Sequence, residues 1–307
     1  MRELRVPTID DLRQAAQVVT AVLPATPVSR GDFTLKLEGL QPTGSFKVRG
    51  ALAALDALDP EVPVVAASAG NHALGIAYAA SWFGRRATVV TSTTASPAKV
   101  AAIRRFGVSL KQVGTSYDEA EAWALELAAS GGHFVSSYND PLVIAGQGSI
   151  GVELVDQVSG PLTVVCGVGG GGLASGLGLW SSLHPDVRVV GVEVAGSRAI
   201  SAAVEAGHQV PVQVDDTLAD GLAGNIEPGS VTIELVARHV SELITVTEEE
   251  LRDAIRYLVS ERGVVAEGAA AAPVAAVLAG LVPDGPGTVA VVSGRNIDSR
   301  TLAGVLA

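Results

Sequence analysis

Cysteine and lysine are scarce in this 307-residue sequence, with one cysteine and four lysines. The single cysteine, Cys166, excludes an intramolecular disulfide, and its setting in "LTVVCGV" marks it as a buried core residue. Charge is thin as well: 17% of residues are charged, below the ~25% usual for soluble domains. The net charge of −11 argues against a nucleic-acid backbone or an anionic membrane surface as partner. Small anions stay possible, because a helix N-terminus supplies a local positive field. Long apolar runs are missing too. "EGAAAAPVAAVLAGL" is too short to span a bilayer and carries a proline. The opening "MRELRVPTIDDLRQAAQVV" lacks the apolar core of a signal peptide and reads as a first helix. A soluble, cytoplasmic protein is expected. What is abundant is Ala, Gly and Val, which suits helices packed closely on sheets, and the length allows two domains.

From residue 62 the chain alternates short β-branched runs with helical stretches. "VPVVAAS", "RRATVVTS", "VSLKQVG" and "GHFVSSY" read as strands. Between them lie "HALGIAYAASWFG", then "SPAKVAAIRRFG" with Ser96 as N-cap before Pro97, then a helix opened by a capping box Ser116…Glu119. That is the rhythm of a parallel α/β unit. A second series follows: the helix "PLVIAGQGSIGVELVDQV" and the strands "LTVVCGV", "RVVGVEV", "ELITVT" and "GTVAVVSG", with a helix from Thr247 capped by Glu250. Residues 208–230 show little periodicity, and a long irregular segment inside a compact domain is usually functional. The simplest organisation is a small α/β domain, 60–140, inserted in a large domain formed by 1–59 and 141–307. Ligands belong in the cleft between them.

Between a strand and a helix, residues 167–172 read "GVGGGG". Gly167, Gly169 and Gly172 satisfy G-x-G-x-x-G, and Glu193 follows where a dinucleotide site places its ribose ligand. The backbone itself supports only an anion cradle for some phosphate. Tight strand–helix packing explains a glycine or two, not four in a row.

Three further stretches bear on the owner of that phosphate. In "TGSFKVRGA", Lys47 follows a Gly-Ser turn at the head of an apolar helix. A cation there opposes the helix dipole. It is either an exposed first-turn lysine or an amine whose lowered pKa makes it nucleophilic toward an aldehyde. "SAGNHA" (68–73) is either an N-capping turn or a second anion cradle suited to a carboxylate, with the Asn71 amide free for a ring oxygen. His72 alone reads more simply as a packed or capping histidine. "VVSGRNID" places Ser293 at a strand's C-terminal edge, where a hydroxyl can meet a heterocyclic nitrogen or be an ordinary loop serine.

Together these stretches resemble the fold-type II pyridoxal-phosphate (PLP) enzymes, in the branch of threonine/serine ammonia-lyases (dehydratases) and serine racemases. "TGSFKVRGA", "SAGNHA", "SPAKVAAIRRFG", "PLVIAGQGSIGVEL", "VGGGGL", "TLADGL" and "SGRNID" occur in that family's order over nearly the whole chain. The resemblance implies an α/β fold of the tryptophan synthase β type. Two open, twisted, mostly parallel sheets carry helices on both faces, the smaller domain inserted in the larger. It further implies that Lys47 binds the cofactor aldehyde covalently, with Phe46 beside the ring and Asn71 on the ring 3′-oxygen. Gly169, Gly170, Gly171 and Gly172 would cradle the phosphate and Ser293 would face the pyridine nitrogen. Ser68, Ala69, Asn71 and His72 would hold the substrate carboxylate, largely through backbone N–H groups, with Gly221 near the substrate side chain.

The activity implied is α,β-elimination from a β-hydroxy amino acid, L-threonine or L-serine, to a 2-oxo acid and ammonia, by a homodimer. Racemases of this branch carry a serine base where Ala69 stands, so racemisation is expected to be weak. Metal-activated members need a second carboxylate where Ala199 stands, so no metal is expected although Glu193 is in place. Arg295 replaces a common glycine, and a guanidinium beside the ring would shift substrate choice toward an acidic or modified amino acid. The chain ends soon after "SGRNIDSR", so no regulatory domain or isoleucine feedback is expected. Three alternatives stay open: a racemase, a dehydratase of a specialised hydroxyamino acid (hydroxyaspartate, phenylserine or an osmolyte-derived compound), and a catalytically silent PLP-binding partner protein.

Overall fold

The computed structural model describes residues 4–307. Its first helix, α1 (Ile9–Val22), opens on a capping box in which Thr8 and Asp11 satisfy each other's backbone N–H groups. An antiparallel pair follows, β1 (Val28–Ser29) and β2 (Phe33–Leu37), then a 3-10 turn, Glu38–Leu40, and α2 (Lys47–Asp56). The next segment alternates as its sequence pattern requires: β3 (Val64–Ala67), α3 (Asn71–Phe83), β4 (Ala87–Thr91), α4 (Pro97–Arg104), β5 (Ser109–Gln112), α5 (Tyr117–Ala129) and β6 (His133–Phe134). These strands form one parallel sheet in the order β5-β4-β3-β6.

The remaining elements are α6 (Pro141–Gln157), β7 (Leu162–Gly167), α7 (Gly172–Ser181), β8 (Val187–Val194), α8 (Ala199–Ala206), α9 (Thr232–His239), β9 (Glu242–Val246), α10 (Glu248–Ser260), α11 (Gly268–Leu278), β10 (Gly285–Val292) and α12 (Ser299–Leu306). A second sheet has the order β1-β2-β10-β7-β8-β9, parallel except for β1 on β2. Its strands alternate between two apolar layers. Val164, Cys166, Val189 and Val291 pack with α6, α7 and α9, whereas Val165, Val190 and Ala290 pack with α10 and α11. In the other sheet Val64, Ala66 and Val89 face α2 and α3, and Val65, Ala67 and Val90 face α5. Period-two alternation with both faces apolar is what a sheet covered on both sides requires. Each buried valine contributes ~1.5–3 kcal/mol.

Local departures from the sequence reading have simple causes. "GHFVSSY" is strand only at His133–Phe134, and the chain then turns so that Ser137 and Tyr138 face the site described below. Ser116 caps Glu119 N–H, but the Glu119 carboxylate goes to the Thr115 N–H and hydroxyl, so the box is half made. The Thr247–Glu250 box is complete. Ser96 stands at the N-cap of α4 without a side-chain cap bond. Residues 208–230 hold no helix or strand, as expected. Among the described residues no helix is long and apolar enough to cross a bilayer.

Candidate active site

Three of the loops singled out in the sequence, those before α2, after β3 and after β10, are tied together by hydrogen bonds. The turn after β10 meets the turn before α2: Phe46 N–H donates to Ser293 O at 3.0 Å and Arg295 N–H to Gly44 O at 2.9 Å. Ser293 is buried there, its carbonyl bonded one residue before Lys47. The turn after β3 joins the same corner, because Asn296 Nδ2 donates both to Asn71 Oδ1 (2.7 Å) and to Thr43 O (2.9 Å). Helix α3 lies so close behind α2 that a Cβ on Gly75 would stand 3.0 Å from Lys47 O.

Lys47 begins α2 and is partly exposed as a residue, with its amine turned inward. Nζ donates to Ser137 O at 2.7 Å and lies 5.3 Å from the Phe46 ring centroid. Desolvation pulls its pKa down from 10.5 to about 8, against the opposing charge of Glu267. The exposed-lysine reading therefore fails, since the amine turns inward onto Ser137 O.

Tyr138, the residue after Ser137, packs on the glycine run. A Cβ on Gly170 would stand 2.5 Å from its ring, and one on Gly172 would stand 2.9 Å from its Cα. Gly171 has φ +84° at the N-cap of α7, a left-handed conformation that side chains disfavour. Close approach and backbone conformation thus both require glycine here. The consequence is chemical: among the described residues the N–H groups of Gly169, Gly170, Gly171 and Gly172 have no hydrogen-bond acceptor. Gly171 and Gly172 are buried. Unsatisfied N–H groups at a helix N-terminus call for an anion. Gly221 closes the far side, its carbonyl 3.1 Å from where a Gly169 Cβ would be.

The chain matches the pyridoxal-phosphate-dependent enzyme family over residues 15–294. It belongs to that family. An L-threonine ammonia-lyase of Thermotoga maritima is 42% identical over 305 residues, covering 95% of this chain and 76% of the relative. Among solved structures, a T.th. threonine deaminase superposes with a TM-score of 0.87 at 35% identity, covering 95% of this chain and 99% of its own. Maize serine racemase gives 0.89 at 27% identity, covering 98% and 97%. The α/β fold with two mostly parallel sheets is that of fold-type II PLP enzymes.

The residues present fit pyridoxal phosphate, the cofactor of the family. A desolvated amine of lowered pKa suits its aldehyde, and the free N–H groups at α7 suit its phosphate. Asn71 Nδ2 donates one proton to Glu267 Oε1 at 2.7 Å, and an amide nitrogen carries a second for an oxygen acceptor. The turn 68–72 supplies a further set. Ser68 N–H is taken by Val90 O, which leaves its hydroxyl for a ligand, and that hydroxyl accepts from Gly70 N–H. The N–H groups of Ala69, Asn71 and His72 have no acceptor among the described residues. His72 Nε2 meets Val135 O at 2.9 Å, and burial with the nearby Lys47 charge pushes its pKa down to about 3, so it is neutral.

Two expectations are displaced. Arg295 turns its guanidinium to Gly39 O at 2.7 Å, which holds that arm on the 3-10 turn. The Glu193 carboxylate accepts from the N–H groups of Ile200 and Ser201 and from the Ser201 hydroxyl, capping α8. The ribose-ligand reading thus loses its acid. Residues that the sequence reading missed are Ser137, Tyr138, Glu267 and Asn296. A backbone carbonyl leaves no signal in sequence; Glu267 does leave one, as an acid heading the apolar run "GAAAAPVAAVL".

Proposed function

We propose that this chain is a PLP-dependent ammonia-lyase that converts L-threonine, and L-serine, to the 2-oxo acid and ammonia. The observation that carries this reading is the Lys47 amine, turned inward onto Ser137 O at 2.7 Å, one residue before the Tyr138 that packs on the glycine run. Sequence identity of 42% to an L-threonine ammonia-lyase supports the substrate class.

In this reading Lys47 would hold the cofactor aldehyde covalently, with Phe46 beside the ring, Asn71 toward the 3′-oxygen and Ser293 toward the ring nitrogen. Gly169, Gly170, Gly171 and Gly172 bind the phosphate. When bound, the cofactor supplies an electron sink for the Cα carbanion. The N–H groups of Ala69, Asn71 and His72, with the Ser68 hydroxyl, bind the substrate carboxylate, and Gly221 borders its side chain. Lys47 Nζ, in its neutral form, takes the Cα proton. The β-hydroxyl departs with a proton as water, and hydrolysis of the released enamine returns one water and frees ammonia. Ala69 offers no hydroxyl to return a proton from a second side, which favours elimination over racemisation. The protein is further proposed to act as a cytoplasmic homodimer, without a metal, and with residues 60–140 as a small domain inserted between 1–59 and 141–307.

The test is 2-oxobutanoate production from L-threonine by the purified holoenzyme, with borohydride reduction and peptide mapping. Turnover with the cofactor mapped to Lys47, and a loss of at least ~10³-fold in Lys47→Ala, is expected. Formation of D-serine from L-serine at a comparable rate would make the chain a racemase. A cofactor mapped elsewhere would overturn the site.

A further inference from the structure

Helix α11 begins after Glu267, an N-cap glutamate that makes no side-chain cap bond to its own helix. A carboxylate at that position can ordinarily bond the first free N–H groups of its helix. Here it turns away and accepts from Asn71 Nδ2, at the head of α3 beside the other sheet, at 2.7 Å. The room it needs is supplied by Gly294, where a Cβ would stand 2.5 Å from Glu267 Oε1. Glu267 N–H also donates to Gly294 O at 3.1 Å. The opposite end of the Asn71 carboxamide is fixed by Asn296 Nδ2 on Oδ1. With an acceptor at one end and a donor at the other, the carboxamide has a single orientation; a flip would set donor against donor and acceptor against acceptor.

Burial pushes the Glu267 carboxyl up from 4.5 to about 7, against the Asn71 hydrogen bond.

We propose that Glu267 is a positioning residue that holds the Asn71 carboxamide in one orientation. This rests on the assignment of Lys47 and Asn71 given above. Glu267→Gln keeps an oxygen for Asn71 Nδ2, whereas Glu267→Ala removes it.

The experiment uses the full chain, its cofactor removed with hydroxylamine, and pyridoxal phosphate as the probe. Pyridoxal-phosphate affinity, from a spectroscopic titration, should stay within ~3-fold in Glu267→Gln and fall ~10-fold or more in Glu267→Ala. Equal affinity losses in the two variants overturn the orienting hydrogen bond. Glu267→Gln is near-isosteric and removes a buried charge, so it keeps the test open if Glu267→Ala does not fold. Peptide mapping of the reduced wild type decides separately whether Lys47 is the anchor, so failure of the site assignment is distinguishable from failure of this inference.

Discussion

Arg49→Met tests what holds Lys47 in place. Two residues beyond Lys47 on α2, Arg49 is fully buried. Its Nε and Nη2 donate to Glu38 Oε2 and Oε1 at 2.7 and 2.8 Å, and Nη1 reaches Glu153 Oε1 at 2.7 Å and Ser149 Oγ at 3.1 Å. Lys36, equally buried, donates to Glu153, Thr26 O and Gln157. Two cations and two anions thus balance out of water, and they clamp α2 to β2, to the 3-10 turn and to α6. Methionine in place of Arg49 leaves two carboxylates facing one ammonium. Removing one partner of a buried pair costs about 3–5 kcal/mol, a large share of the ~5–15 kcal/mol typical of a folded protein.

The dependence on pH follows from Glu38. Burial pushes its carboxyl up, but the Arg49 charge and hydrogen bonds outweigh that and hold it below 4.5. A depressed acid contributes stability that is present above the unfolded pKa and is lost as pH falls through the folded one. In the variant Glu38 rises instead, so the deficit is largest near neutral pH and narrows as pH falls toward 4.5. Adding Glu38→Gln to Arg49→Met removes the orphaned charge and should recover most of the loss. Urea unfolding of the wild type and of the single and double variants, repeated from neutral to mildly acidic pH, measures the deficit, its pH dependence and its recovery. A deficit under ~1 kcal/mol, or no recovery in the double variant, would mean that the buried charges do not clamp α2.

Gly171→Ala is expected to cost ~1–2 kcal/mol in backbone strain, because its φ is +84°. It should also weaken pyridoxal-phosphate binding by disturbing the N–H groups of the cradle; unchanged affinity by titration would count against the cradle. For His72, held neutral down to about pH 3 against an ordinary 6.5, the unfolded chain binds a proton that the folded one does not. Stability should therefore fall on acidification between those values, at roughly 1.4 kcal/mol per pH unit. A parallel stability profile in His72→Gln would show that the histidine contributes no such slope.

Much of the architecture is legible because it is local. The alternation of β-branched runs and Ala-rich helices from residue 62 to 138 becomes one parallel sheet in which each short loop joins successive elements. The errors are local too, and arise where a distant partner overrides propensity. "GHFVSSY" stops being strand after Phe134 because Ser137 O serves Lys47 and Tyr138 packs on the glycines. The edge pair of β1 and β2 and the helices α9 and α11 lie in stretches where pattern alone assigned no element. Ser68 belongs with its turn, yet its N–H belongs to the sheet.

Which chemistries were open to this chain is written in its residues. A lysine in a Gly-Ser-Phe turn, a polar turn after a strand, a run of glycines and a strand-end serine each permit a function and a bland alternative. Their order along the chain narrows them to one cofactor. The environment of each group had to wait for the assembled fold. Whether Lys47 is an exposed cation or a desolvated amine depends on residues far along the chain, such as Ser137 and Glu267. Whether Asn71 has one orientation depends on Glu267 and Asn296, 196 and 225 positions away. Burial and hydrogen-bond direction are properties of assembled neighbours, and no short stretch of sequence contains them.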